Sequence, residues 1–221
     1  MILVFDLDDT LYDEITYVES GFRAVANFAE DRWQLDRHRM YEELQSVMIS
    51  AGRGQVFDAV LAHNNCYSKN NVKRCLGVYR RHFPSIAIHD AGNRCLSRFQ
   101  AGPMYLVTDG NKLVQYNKVC ALGVQSRFKR ILITHRFGVD KAKPSPYCFE
   151  LIAEAEGVSA EGVFYIGDNP EKDFVGIKPL GYKTIRVLTG MHKHMRKSKH
   201  HEAHIAISTL DELTPALLQS L

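Results

Sequence analysis

Acids, a threonine and a lysine recur at one kind of place in this 221-residue chain, just beyond a short apolar run. "ILVF" leads into Asp6, Asp8 and Thr10, and "MYLV" leads into Thr108, Asp109, Gly110 and Asn111. "RILIT" and a loop precede Lys143 and Pro144, and "VFYIG" precedes Asp168, Asn169 and Asp173. Short apolar runs of this kind suit strands of a parallel sheet buried on both faces. Parallel strands share one carboxyl edge, so the groups that follow them can meet there. Carboxylates from two strands make a hard-oxygen site suited to Mg2+, whose charge offsets their mutual repulsion. Thr108 and the amides after it, at a helix start, can hold phosphate oxygens. Lys143 supplies a fixed positive charge beside an anionic nucleophile and a phosphate. Phosphoryl transfer depends chiefly on positioning and charge neutralisation, and this inventory suits it.

The four stretches read in order as "DLDDT", "VTDGN", "KPSP" and "GDNPEKD". With them the chain resembles the haloacid dehalogenase-like (HAD) superfamily from residue 2 to about residue 181. The resemblance implies a two-step reaction through a phospho-enzyme. Asp6 would attack phosphorus and become an aspartyl phosphate. Asp8 would protonate the leaving oxygen and then take a proton from water. Asp6, the backbone carbonyl of Asp8, and Asp168 would hold Mg2+, with Asp173 and Asn169 supporting them. Thr108, Lys143 and the amides of Asp109 and Gly110 would bind phosphate. Dehalogenases of the family lack an acid two residues after the nucleophile, so Asp8 favours a phosphatase or a phosphomutase resembling β-phosphoglucomutase. "TDG" departs from the frequent "TNG", and an acid at Asp109 is unfavourable beside phosphate unless its side chain turns away. Asp9 is expected as a surface acid or a helix-side hydrogen-bond acceptor.

These residues need a frame. Strands are expected at Ile2 to Asp6, Pro103–Thr108, Arg130–Thr134, Val163–Gly167, Lys183–Leu188 and Ala203–Ser208. Helices are expected at Asn111–Gly123, Ser145–Gly157 with a serine cap, from the fourth of these strands to Gly181, and at the C-terminus, where Thr209 and Glu212 have capping-box spacing. Strands alternating with helices predict an α/β fold, a Rossmann-like parallel sheet with helices on both faces. Glu14 to Phe83 reads helical throughout, with apolar residues such as Val18, Phe22, Met40, Leu44, Val60, Leu76 and Phe83 at helical spacing. It is predicted to be an inserted cap, residues 14–83, over a core of residues 1–13 and 84–221; in the family such an insertion is the type-1 cap. In "SAGRGQVFD", Arg53 sits between glycines at a helix junction, either as part of a solvated turn or as a reader of an anionic or hydroxyl-rich substrate.

Composition narrows the field further. A length of 221 residues, 45% hydrophobic and 24% charged, suits a soluble domain carrying an insertion. The net charge of +3 is too mild to point to nucleic acid. Lys193, Arg196, Lys197, Lys199 and Glu202 account for all of it, in a His-rich segment expected as a solvated loop. Five scattered cysteines argue for reduced thiols in the cytoplasm, and no apolar run approaches membrane-spanning length. The expected activity is Mg2+-dependent hydrolysis of a small phosphorylated metabolite. A phosphomutase, a phospho-accepting signalling domain and a silent binding protein are the alternatives; oligomeric state is open.

Overall fold

The computed structural model of the protein describes residues 1–221 and divides into two compact units, Met1–Glu14 with Ala87–Leu221, and Ile15–Ile86. The first unit is built on six strands: β1 (Ile2–Phe5), β2 (Met104–Thr108), β3 (Arg130–Ile133), β4 (Val163–Gly167), β5 (Lys183–Val187) and β6 (Ile205–Ile207). They form one parallel sheet in the order β3-β2-β1-β4-β5-β6. The chain order reverses between β1 and β4, and a crevice forms at such a reversal outside the carboxyl ends of the strands. Strands β1, β2 and β4 are buried along their whole length. Side chains such as Val4, Val107 and Ile166, each wholly buried, contribute about 1.5–3 kcal/mol apiece. That burial fixes the register, Phe5 against Leu106 on one side and Ile166 on the other.

The helical unit comprises α1 (Glu14–Trp33), α2 (Arg37–Ala51), α3 (Val56–His63) and α4 (Lys69–Arg81). Side-chain caps from Asp36 and Ser68 start α2 and α4. Phe22, Phe57 and Tyr79 pack with ring centroids 5.7–6.3 Å apart. Phe83 lies beyond α4 and is 70% exposed, so the helix stops two residues earlier than the sequence suggests.

The sheet unit carries α5 (Asp90–Arg98), α6 (Lys112–Leu122), α7 (Tyr147–Glu156) and α8 (Pro215–Gln219). Helix α5 was not expected; its cap is an imidazole, His89 Nδ1 accepting from the Gly92 amide. Helix α7 starts after Pro146, whose side chain offers no cap, and Ser145 accepts only a long bond from the Tyr147 amide, 3.4 Å. No helix follows β4. Asn169 Oδ1 takes the Glu171 amide and Asp173 Oδ2 takes the Asn169 amide, so side chains close turns there, and only a short 3-10 turn at Lys178–Leu180 precedes Gly181. At the C-terminus the Thr209–Glu212 capping box is present but starts a single 3-10 turn, because Pro215 disfavours a helical conformation at Thr214. The five cysteines are free, and no helix is long and apolar enough to cross a membrane.

Candidate active site

Asp6 is the first residue past β1, and its amide still bonds the Ile166 carbonyl of β4 at 2.8 Å. Its carboxylate stays at the sheet edge, 5% exposed. Lys143 Nζ meets Asp6 Oδ1 at 2.6 Å, the Tyr165 hydroxyl at 2.5 Å and Asp173 Oδ1 at 3.0 Å. An ammonium has three N–H donors, and all three are taken. Gly167 leaves room for this arrangement, since a Cβ there would lie 2.5 Å from Asp173 Oδ2. Burial, and then Asp173, push the Asp6 carboxyl up to about 7 despite Lys143. Burial opposes the charge of Lys143, but Asp173 and Asp6 outweigh it and keep the ammonium protonated.

One ligand oxygen from each of Asp6, Asp168 and Asp173 lies within 4.8 Å of the others, all three residues buried. Burial raises Asp168 well above the usual carboxylate range, and the charges of Asp173 and Asp6 add to the rise. Three crowded, dry carboxylates match the hard-oxygen donor set of a divalent cation such as Mg2+.

Asp8 points elsewhere, toward α6. Its Oδ1 accepts from Tyr12 Oη at 2.5 Å and Lys118 Nζ at 2.6 Å, and its Oδ2 from Gln115 Nε2 at 2.7 Å. Burial alone would raise this carboxyl, but the charge of Lys118 and these hydrogen bonds hold it below its ordinary value. Gln115 also bonds the Thr108 hydroxyl, joining two of the expected site residues. Gln115 and Lys118 stand three apart on one face of α6, a spacing that does not by itself name Asp8 as their shared partner.

Asp109 lines the crevice, but its carboxylate oxygens are already engaged. Its Oδ1 accepts from Thr134 Oγ1 at 2.6 Å and the Lys143 amide at 3.1 Å, and its Oδ2 from Lys172 Nζ at 3.2 Å. Gly110 follows at φ 133°, open to glycine. Lys172 lies inside "GDNPEKD", where nothing in the sequence marks Asp109 as its partner.

Asp9 corrects the surface expectation: it is 7% exposed, with φ 54°. Its Oδ1 caps α1 at the Glu14 amide, 2.8 Å, as a helix-side acceptor, and its Oδ2 takes the Met191 amide at 3.2 Å. The basic segment after β5 is exposed at Lys193, Arg196, Lys197 and Lys199, as expected of a solvated loop, while His192 reaches the cavity and Arg186 ties the segment's backbone down. Arg186, on β5 and 1% exposed, donates to the carbonyls of Asp168, His192 and Met195 and to both oxygens of Glu202.

Asp6, Asp8, Asp9, Glu14, Asp109, Asp168, Asn169, Lys172 and His192 line one cavity of about 110 Å³. Thr108 and Lys143 are buried behind it. Arg53 belongs to the helical unit, where with Val18, Phe22, Phe57 and Tyr79 it lines an apolar pocket of about 310 Å³.

A family model described as haloacid dehalogenase-like hydrolase matches residues 1–181. The chain is 28% identical to a glyceraldehyde 3-phosphate phosphatase of Methanocaldococcus jannaschii, over 96% of this chain and 94% of that protein. It is 28% identical to the enzyme of the same name from Methanopyrus kandleri, over 87% and 86%. A crystal structure of a HAD-superfamily hydrolase, subfamily IA, from Geobacter sulfurreducens superposes with a TM-score of 0.68 at 16% identity, over 98% and 95%, a likeness of fold.

Proposed function

The chain belongs to the haloacid dehalogenase-like hydrolases, and from that premise we propose that it hydrolyses phosphomonoesters of small metabolites through a phosphoaspartate at Asp6. The observation that carries this reading is the cavity shared by Asp6 and Asp8, with Lys143 fixed behind the first and Lys118 behind the second. Asp6 attacks phosphorus with the oxygen that Lys143 leaves open, and Lys143 keeps the carboxylate oriented. Asp8 is a carboxylate in the resting site, so it takes up a proton on substrate binding, gives it to the departing oxygen, and in the second step takes one from the attacking water. Thr108 and the amides of Asp109 and Gly110 hold phosphate oxygens, and Lys143 adds charge close by.

The donor set fits a magnesium ion: Asp6, Asp168 and the backbone carbonyl of Asp8 would hold it, with Asp173 and Asn169 in support. When bound it supplies positive charge that neutralises the carboxylates and the phosphoryl oxygens. Asp8 argues against dehalogenation, because halide leaves without a proton. The helical unit, residues 14–83 in the sequence reading, acts as a cap that selects substrate, with Arg53 contacting it. The free cysteines suit a reducing, cytoplasmic setting.

The relatives' names make triose phosphates the first substrates to try. Phosphate release should be measured over a panel of sugar and triose phosphates, with and without a bisphosphate primer. Release that needs no primer supports the hydrolase; primer-dependent isomerisation without net phosphate release would replace it with a phosphomutase.

A further inference from the structure

We propose that Lys172 is the cation that contacts the substrate phosphate directly, while Lys143 serves to hold the nucleophile; this rests on the phosphomonoesterase reading above. The case is a count of donors. Lys143 has a side chain 1% exposed and spends its three N–H groups on Asp6, Tyr165 and Asp173. It contributes charge to a bound phosphate but has no hydrogen bond left to give. Lys172 is placed differently. Its side chain is 36% exposed and lines the same cavity as Asp6, Asp168 and Asn169. Its ammonium has Asp109 as its side-chain acceptor, 3.2 Å away, which leaves donors for an incoming anion.

Asp109 orients this lysine. Thr134 and the Lys143 amide fix Oδ1, so Oδ2 is directed at Lys172. The acid in "TDG" and the lysine in "EKD" thus form one device. The acid, its oxygens already engaged, anchors a cation that lines the same cavity. A charge-assisted hydrogen bond from such an anchored ammonium adds specificity for a dianionic phosphate.

Lys172 could instead do no more than neutralise Asp109, and a double variant separates the two. Inorganic phosphate binding to the full chain, in the presence of Mg2+, is measured by calorimetry, alongside KM and kcat for p-nitrophenyl phosphate. Lys172→Met should weaken phosphate binding and raise KM by about tenfold or more, with a smaller change in kcat, and Lys172→Arg should retain most of the binding. Asp109→Asn combined with Lys172→Met should stay as weak as Lys172→Met alone. Unchanged phosphate binding in Lys172→Met, or recovery to wild-type binding in the double variant, overturns the proposal. Asp6→Asn separates this from the parent reading, because it should stop turnover while phosphate still binds. Turnover that survives Asp6→Asn removes the phosphoaspartate mechanism whatever Lys172 does.

Discussion

The guanidinium of Arg186 meets both carboxylate oxygens of Glu202, at 2.9 and 2.7 Å, and through its other donors it ties the segment after β5 to the Asp168 carbonyl. Arginine has five N–H donors, and the five bonds of this residue use them all. A buried cation therefore organises the most basic stretch of the chain.

Glu202→Gln should destabilise the protein by about 1–3 kcal/mol, since it leaves a buried guanidinium short of its counter-charge. Burial works against the Glu202 carboxylate, but hydrogen bonds from Arg186 and the Lys197 amide hold its pKa below the ordinary value. A depressed acid contributes stability that is complete above its unfolded pKa, about 4.3, and is lost as pH falls through the lower folded value. Chemical denaturation should show wild type and Glu202→Gln separated at pH 7 and converging below about pH 4. A constant gap at all pH values would count against this role.

Gly190 has φ 58°, and a Cβ there would lie 2.0 Å from Asp9 Cγ. Gly190→Ala should cost about 2 kcal/mol or more, because both the backbone and the contact are strained. Asp9→Ala should weaken the same loop by removing acceptors from Glu14 and Met191. Thermal melts decide it: a Gly190→Ala melting temperature equal to wild type would contradict the packing described.

Asp8→Asn should discriminate among leaving groups. An alkyl phosphate needs a proton on its departing oxygen, whereas p-nitrophenolate leaves readily without one. The variant should lose about 10²–10⁴-fold in kcat on an alkyl phosphate and much less in the first step on p-nitrophenyl phosphate. Burst kinetics isolate that step. Equal losses on both substrates would remove Asp8 from leaving-group protonation.

Mg2+ should raise the melting temperature in a concentration-dependent way, and a chelator should reverse it. Asp168→Asn should abolish that shift and raise the melting temperature of metal-free protein, because one of three crowded carboxylates loses its charge. If Asp168→Asn still responds to Mg2+ as wild type does, these carboxylates are not the metal site.

Much of this was legible from residues 2–6, 104–108 and 163–167, whose continuous burial left a clear apolar signature and aligned the acids after them at one edge. Helix α5 escaped because its cap is a histidine and its buried stripe is only Gly92, Cys95 and Leu96. The turns after Asp168 escaped because Asn169 and Asp173 close them with side-chain bonds that periodicity does not report. Gln115, Lys118 and Lys172 act on acids distant in sequence, so only the folded edge reveals their partners. Arg186 reads as an ordinary polar residue in "KTIRVL", and its burial depends on the backbone carbonyls and the Glu202 carboxylate gathered around it.

The central claim is that Asp6 carries the phosphoryl group. With Mg2+ and p-nitrophenyl phosphate, wild type should release phosphate, and acid-quenched protein should carry one phosphoryl group on the peptide containing Asp6. Asp6→Asn should fold, lose at least about 10³-fold in kcat and carry none. Turnover by Asp6→Asn at the wild-type rate, or a phosphoryl group trapped on another residue, would contradict the account.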